Sequence, residues 1–178
     1  AGRISRIKGL LDIIDAMGSL IKEGFDLELK LVGMVDKTDS ILKEINYKAL
    51  SLGIEDSYEY IGYKTAGSEL LEEYRKSDVF VIASQANSEG FPRTLWEAMA
   101  SSLPIVATSV SSIPNFTEGA AELAPPKNVI AYTESLRRVL TSSKRRKQMI
   151  KKGMELAKNN TLEQRGKELS NILINNFN

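Results

Sequence analysis

Short apolar runs alternate along this chain with longer stretches in which apolar residues return every three to four positions. Leu10, Ile13, Ile14, Met17, Leu20 and Ile21 share one face of a helix that Gly24 is placed to stop. Leu27-Glu28-Leu29-Lys30-Leu31-Val32-Gly33 alternates and then turns apolar, the pattern of a strand ending in glycine. Residues 37–52 predict an amphipathic helix closed by Gly53, residues 58–63 a strand and residues 68–76 a short helix. Asp78–Ala83 is apolar and β-branched enough for a strand buried in a parallel sheet. A polar loop follows, and Pro92, pre-organised for a first helical position, opens the next helix. Pro104–Thr108 and Gly119–Ala124 read as the last strands. Everything from Asn128 to Asn178 reads as helix in three pieces, the final one started by a Thr161–Gln164 capping box. With a strand ending just ahead of Arg3, six strands alternate with helices. That order predicts a doubly wound α/β fold with right-handed crossovers and a ligand site at the carboxyl ends of the strands.

Composition narrows the chemistry. At 178 residues the chain is long enough for one domain, 1–178, with a sizeable core. A formal charge of +1 gives no general attraction to polyanions, and no nucleic-acid partner is expected. Cysteine is absent, which excludes disulfides and thiolate metal sites. Histidine is absent too, so imidazole catalysis is excluded and any metal would need carboxylates alone. No apolar run approaches the roughly 18 residues of a membrane helix and no signal pattern opens the chain, so a cytoplasmic location is expected.

The stretch Ser88-Glu89-Gly90-Phe91-Pro92-Arg93-Thr94-Leu95-Trp96-Glu97-Ala98-Met99-Ala100 concentrates the candidate chemistry. The free amides at the start of the Pro92 helix attract anions, phosphates above all. Glu89 lies just ahead of that helix; Glu97 lies in its second turn, on the face of Thr94. Carboxylates do not hold phosphate. They accept hydrogen bonds from hydroxyls, which sugars and riboses carry. Taken by spacing alone, the pair could equally be a loop carboxylate and a solvated helix residue.

The setting decides otherwise. Glu-Gly-Phe-Pro-x-x-Leu-x-Glu-Ala-Met-Ala, with Pro104-Ile105-Val106-Ala107-Thr108 on the next strand, resembles the E-x7-E signature of retaining glycosyltransferases of the family 4, or group 1, type. Gly2-Arg3…Lys8-Gly9 is similar to that family's first loop, where an Arg and a Lys hold the donor diphosphate. The resemblance implies a Rossmann-like, mostly parallel six-stranded sheet with C-terminal helices, one half of a two-domain GT-B fold. It runs from Arg3 to about residue 175 and corresponds to the donor-binding half, the N-terminal acceptor domain lying outside this sequence. It implies retaining transfer of a hexose-type sugar from a UDP- or GDP-linked donor, with no metal or other cofactor. Glu89, Arg3 and Lys8 are its catalytic candidates. Glu97 is expected on the ribose hydroxyls and Glu89 on those of the donor sugar. Gly90, Phe91 and Arg93 are expected to give amides to the diphosphate, with Thr94 beside them. Gly33 and Tyr63 are expected near the base, Tyr63 having core packing as its other reading. The acceptor is expected to be a glycan or a lipid-linked sugar, and the chain alone is expected to turn over negligibly.

Two departures stand out. The family's small-residue–glycine pair ahead of its strand is Ser101-Ser102 here, and its Gly-Gly-Ile-Pro-Glu is Ser111-Ser112-Ile113-Pro114-Asn115. Serine lacks glycine's freedom at positive φ, so a loop of different shape is expected there. A degenerate, non-catalytic nucleotide-binding α/β module is the reading these serines keep open. A GT-B nucleotide-sugar epimerase is another, although such enzymes use a histidine this chain lacks. Between Arg137 and Lys152 lie eight basic residues and no acid, read as a solvated helix face or as peripheral contact of residues 137–152 with anionic lipid.

Overall fold

Phe80 and Ile82 face one side of their strand and Val81 the other. The same alternation in Ile105, Val106 and Ala107 on the neighbouring strand gives the layer two apolar faces. The computed structural model describes residues 1–36, 38–85 and 91–177. Among them are five strands: β1 (Leu29–Val32), β2 (Tyr58–Gly62), β3 (Phe80–Ile82), β4 (Ile105–Thr108) and β5 (Ala121–Ala124). The helices are α1 (Leu10–Lys22), α2 (Ile41–Leu52), α3 (Ser68–Arg75), α4 (Arg93–Ala100), α5 (Ile113–Phe116), α6 (Val129–Thr141), α7 (Ser143–Asn159) and α8 (Leu162–Phe177).

All strand pairing between these elements is parallel, in the orders β1-β2 and β3-β4-β5. The fold is therefore the expected α/β layer with parallel sheets, but the expected single sheet of six strands is five strands in two sheets. The first expected strand is reduced to a bridge between Ile4 and Val35, with Gly2 N donating to Val32 O at 2.9 Å and Ile4 N to Met34 O at 2.8 Å. That pairing is confined to the C-terminal end of β1, so no ladder joins β1 to β3. Their facing edges instead line a cavity of about 830 Å³, with Leu29, Leu31, Val79 and Val81 in its walls.

Helices cover both faces. Ile13, Ile14 and Leu20 of α1, Ile41 and Ile45 of α2, and Leu136 and Val139 of α6 pack with Val106 in one core. Tyr74 of α3 with Leu95 and Met99 of α4 packs on Phe80, Ile82 and Ile105 in the other. Burial of large apolar side chains at about 1.5–3 kcal/mol each is what holds such layers together. The C-terminal region forms three helices as read from the sequence, and Thr161 Oγ1 accepts from Gln164 N at 3.3 Å to start the last. Among the α-helices, one escaped the reading: α5, a single turn with Pro114 near its start.

Candidate functional site

The candidate site is assembled around the start of α4. Pro92 is the N-cap rather than the first helical residue: at φ −66° and ψ 121° it is extended, and its carbonyl accepts from Leu95 N at 3.0 Å. The helix starts at Arg93, whose side chain is exposed. Just ahead of the cap, the Phe91 ring packs on Trp96 at 4.8 Å between centroids and on Phe116 of α5 at 5.2 Å. This is a hydrophobic staple, an apolar residue before the cap packed on one in the first turn, and it fixes how the chain enters the helix. Phe91 is thus held by its ring. Glu89 and Gly90 lie outside the described residues.

Opposite this terminus stand the two cations predicted from the first loop. Arg3 is exposed within the Gly2–Ile4 segment; Lys8 is partly buried in the 3-10 turn that precedes α1. Burial, and after it the Arg3 guanidinium, lowers the Lys8 ammonium below its ordinary value. The Lys8 ammonium and the Glu97 carboxylate both lie within electrostatic range of Ala1. The lysine of the first loop and the carboxylate of α4 therefore both approach the Ala1–Gly2 segment.

Glycine is required where these segments cross. A Cβ on Gly33 (φ +145°) would fall 1.7 Å from Gly2 O, and one on Gly9 (φ +64°) would fall 1.9 Å from Ala83 O. Gly2 in turn lies against Thr94, whose Cγ2 would be 3.5 Å from a Cβ there. Gly33, expected from the sequence as a base contact, has a packing reason for being glycine. Its N–H donates to Gly62 O at 2.8 Å, and Tyr63, next in the chain, stands exposed rather than packed. Arg3, Lys8, Gly33, Thr94 and Glu97 are thus brought together at the carboxyl ends of the strands, with Tyr63 one strand further out.

Sequence reasoning missed what holds Glu97. The Tyr74 hydroxyl, on α3, donates to Glu97 Oε2 at 2.8 Å. Tyr74 is buried, and burial first, then this bond, raises its hydroxyl pKa, so it remains a donor. The available signal was a tyrosine on the inner face of a short amphipathic helix, where a buried hydroxyl needs a partner. Also missed was Gln85, at the end of β3: its Nε2 donates to Asp12 Oδ2 at 2.7 Å and its backbone N to Ile7 O at 2.9 Å, tying this strand end to the first loop.

Ser102 (φ +60°) and Ser111 (φ +49°) both hold positive φ, the conformation glycine takes at no steric cost, so the expected change of loop shape is not made at the backbone of these two residues. In the basic run, Arg137 pairs with Glu23 and Glu134, and Arg138 and Arg145 share Glu122. Arg146 donates to the Val139 and Leu140 carbonyls, and Lys152 pairs with Glu155. Lys144, Lys147 and Lys151 are exposed and make no ion pair among the described residues.

Sequence and fold comparisons give the family. The family profile of glycosyl transferases group 1 matches residues 1–156. The chain belongs to the group 1 glycosyl transferases. Mannosylfructose-phosphate synthase of Agrobacterium fabrum is 34% identical over 111 residues, covering 60% of this chain and 24% of that protein. The C-terminal domain of a group 1 family glycosyl transferase, LpcC of Francisella tularensis, superposes with a TM-score of 0.79 at 27% identity, covering 90% of this chain and 83% of that one. Anabaena HepE, in a structure in complex with UDP, superposes at 0.81 with 20% identity, over 96% of this chain and 48% of its own, a likeness of fold. This group 1 chain spans between 24% and 43% of the length of the curated relatives it matches. Among the described residues no helix is long and apolar enough to cross a membrane.

Proposed function

We propose that this chain binds the nucleoside diphosphate sugar donor of a retaining glycosyl transferase that moves a hexose-type sugar to a glycan or lipid-linked acceptor. The observation that carries the reading is the meeting of Lys8, Arg3 and Glu97 at the start of α4: cations and free amides for a diphosphate, a carboxylate for hydroxyls. Arg3 and Lys8, with the amides of Gly90, Phe91 and Arg93, take the diphosphate. They stabilise the negative charge that builds on it as the bond to the sugar's anomeric carbon breaks. Those cations and the helix end do what a metal does elsewhere, and no metal enters the proposal. Glu97 accepts from the ribose hydroxyls and Glu89 from those of the donor sugar, with Thr94 lining the path between. Gly33 and Tyr63 border the base, which is uracil or guanine. The acceptor is bound by parts of the enzyme beyond this donor half. Lys144, Lys147 and Lys151 are the basic positions left for contact with an anionic membrane surface.

Calorimetric titration with UDP, GDP and ADP tests this. One nucleotide is expected to bind saturably, and Glu97→Ala to weaken it about tenfold or more, the scale of a lost charge-assisted hydrogen bond. No transfer above background is expected from the chain alone. Absence of binding at millimolar nucleotide, or indifference to Glu97→Ala, would contradict the proposal.

A further inference from the structure

A carboxylate that reads a diol has to be held at a fixed rotation, because the two hydroxyls of a ribose lie in a set geometry. Glu97 sits near the surface of α4, partly buried, on a side chain with three rotatable bonds. Its Oε2 accepts from the Tyr74 hydroxyl at 2.8 Å, while Oε1 takes no hydrogen bond from the described residues. The donor itself is rigidly placed. Tyr74 is the buried residue of α3, its ring packs on Phe80 of β3 at 6.0 Å between centroids, and it belongs to the core formed with Leu95 and Met99. Only its oxygen reaches the site. Neutral tyrosine is suited to this, since it donates one hydrogen bond to the carboxylate and leaves the charge in place.

We infer that Tyr74 is a positioning residue for Glu97. Its hydroxyl pins Oε2, so that Oε1 and the remaining lone pair of Oε2 are presented to the two ribose hydroxyls. This rests on the proposed donor-binding role of Glu97 and adds the group that sets its geometry. Tyr74 touches neither nucleotide nor sugar in this account. Its effect passes through Glu97, and so it should change discrimination at the ribose and nothing else.

The test compares UDP, GDP and ADP with their 2′,3′-dideoxy counterparts by calorimetry, in the intact chain and in Tyr74→Phe, which removes one oxygen and keeps the ring. The intact chain should prefer the ribonucleotide of its cognate base by tenfold or more. Tyr74→Phe should cut that preference by about five- to tenfold through weaker ribonucleotide binding, with dideoxy affinity unchanged and near-ultraviolet circular dichroism unaltered. In a Glu97→Ala background the same substitution should have no further effect on the preference. Tyr74→Leu, which removes the ring as well, is a second variant and should lower the preference likewise. A preference retained in Tyr74→Phe, or an equal loss for both nucleotide forms, would overturn the positioning role alone. An intact chain that does not distinguish the two forms would overturn the donor-site reading and this inference together.

Discussion

Lys8 lies partly buried beside Arg3, and both conditions hold its ammonium below the ordinary lysine value of 10.5. Diphosphate binding needs the charged form, which predominates below the lowered pKa and is lost as pH rises through it. Nucleotide affinity should therefore be level near neutrality and fall on the alkaline side before pH 10.5 is reached. In Lys8→Arg, whose guanidinium stays protonated, that alkaline fall should vanish; an identical pH profile in both proteins would rule out Lys8 as the diphosphate cation. At this scale the sequence carried a good deal. Arg3, Lys8 and Glu97 were singled out by the resemblance of their motifs, spacing alone leaving other readings open, and the structure brings Lys8 and Glu97 toward the same first residue. Tyr74 was not legible, because on a helix stripe a core tyrosine and one that serves a neighbouring carboxylate look alike. Nor was the backbone at Ser102 and Ser111, where tertiary context holds serine at a positive φ that local preference opposes.

Among the elements, the loop–helix junctions decide how well the site is held. Gly9 opens α1 in the left-handed region with Ala83 O in the place of its absent side chain, so the first loop and the end of β3 are locked together there. Gly9→Ala should cost more than about 2 kcal/mol, from overpacking added to the left-handed penalty. Gly53 closes α2 at φ +71° with open space around it, so Gly53→Ala should cost only about 1 kcal/mol. Urea titration of the two variants checks this; equal losses would mean that the close approach at Gly9 is readily relaxed. The five strands all fall within the spans read from alternation and β-branching, because their periodicity reports burial directly. Some helical features were not legible. The helix predicted from residue 37 begins at Ile41, since Asp36 and Asp39 accept from the Thr38 and Ile41 amides and turn the chain first. The single turn of α5 is too short to show a helical period.

For the molecule as a whole, parallel order does most of the functional work. With every strand pair parallel, the loops that follow paired strands emerge at one edge of their sheet, and residues as distant in sequence as Lys8 and Glu97 both come within range of Ala1. The alternation of elements announced the parallel order; the division into two sheets was not visible, because strand pairing between distant segments leaves no local pattern. Pairing within the molecule also removes most of the basic run on α6 and α7 from use, an effect of tertiary placement that a charge count could not reveal. The most direct test of the account is an amide chemical-shift map recorded while the cognate nucleoside diphosphate is titrated into the isotope-labelled chain. Saturable shifts at Arg3, Lys8, Gly33, Phe91, Arg93, Thr94 and Glu97, with Lys144, Lys147 and Lys151 unmoved, are the predicted result. Shifts confined to the basic face of α7, or none at the start of α4, would contradict it.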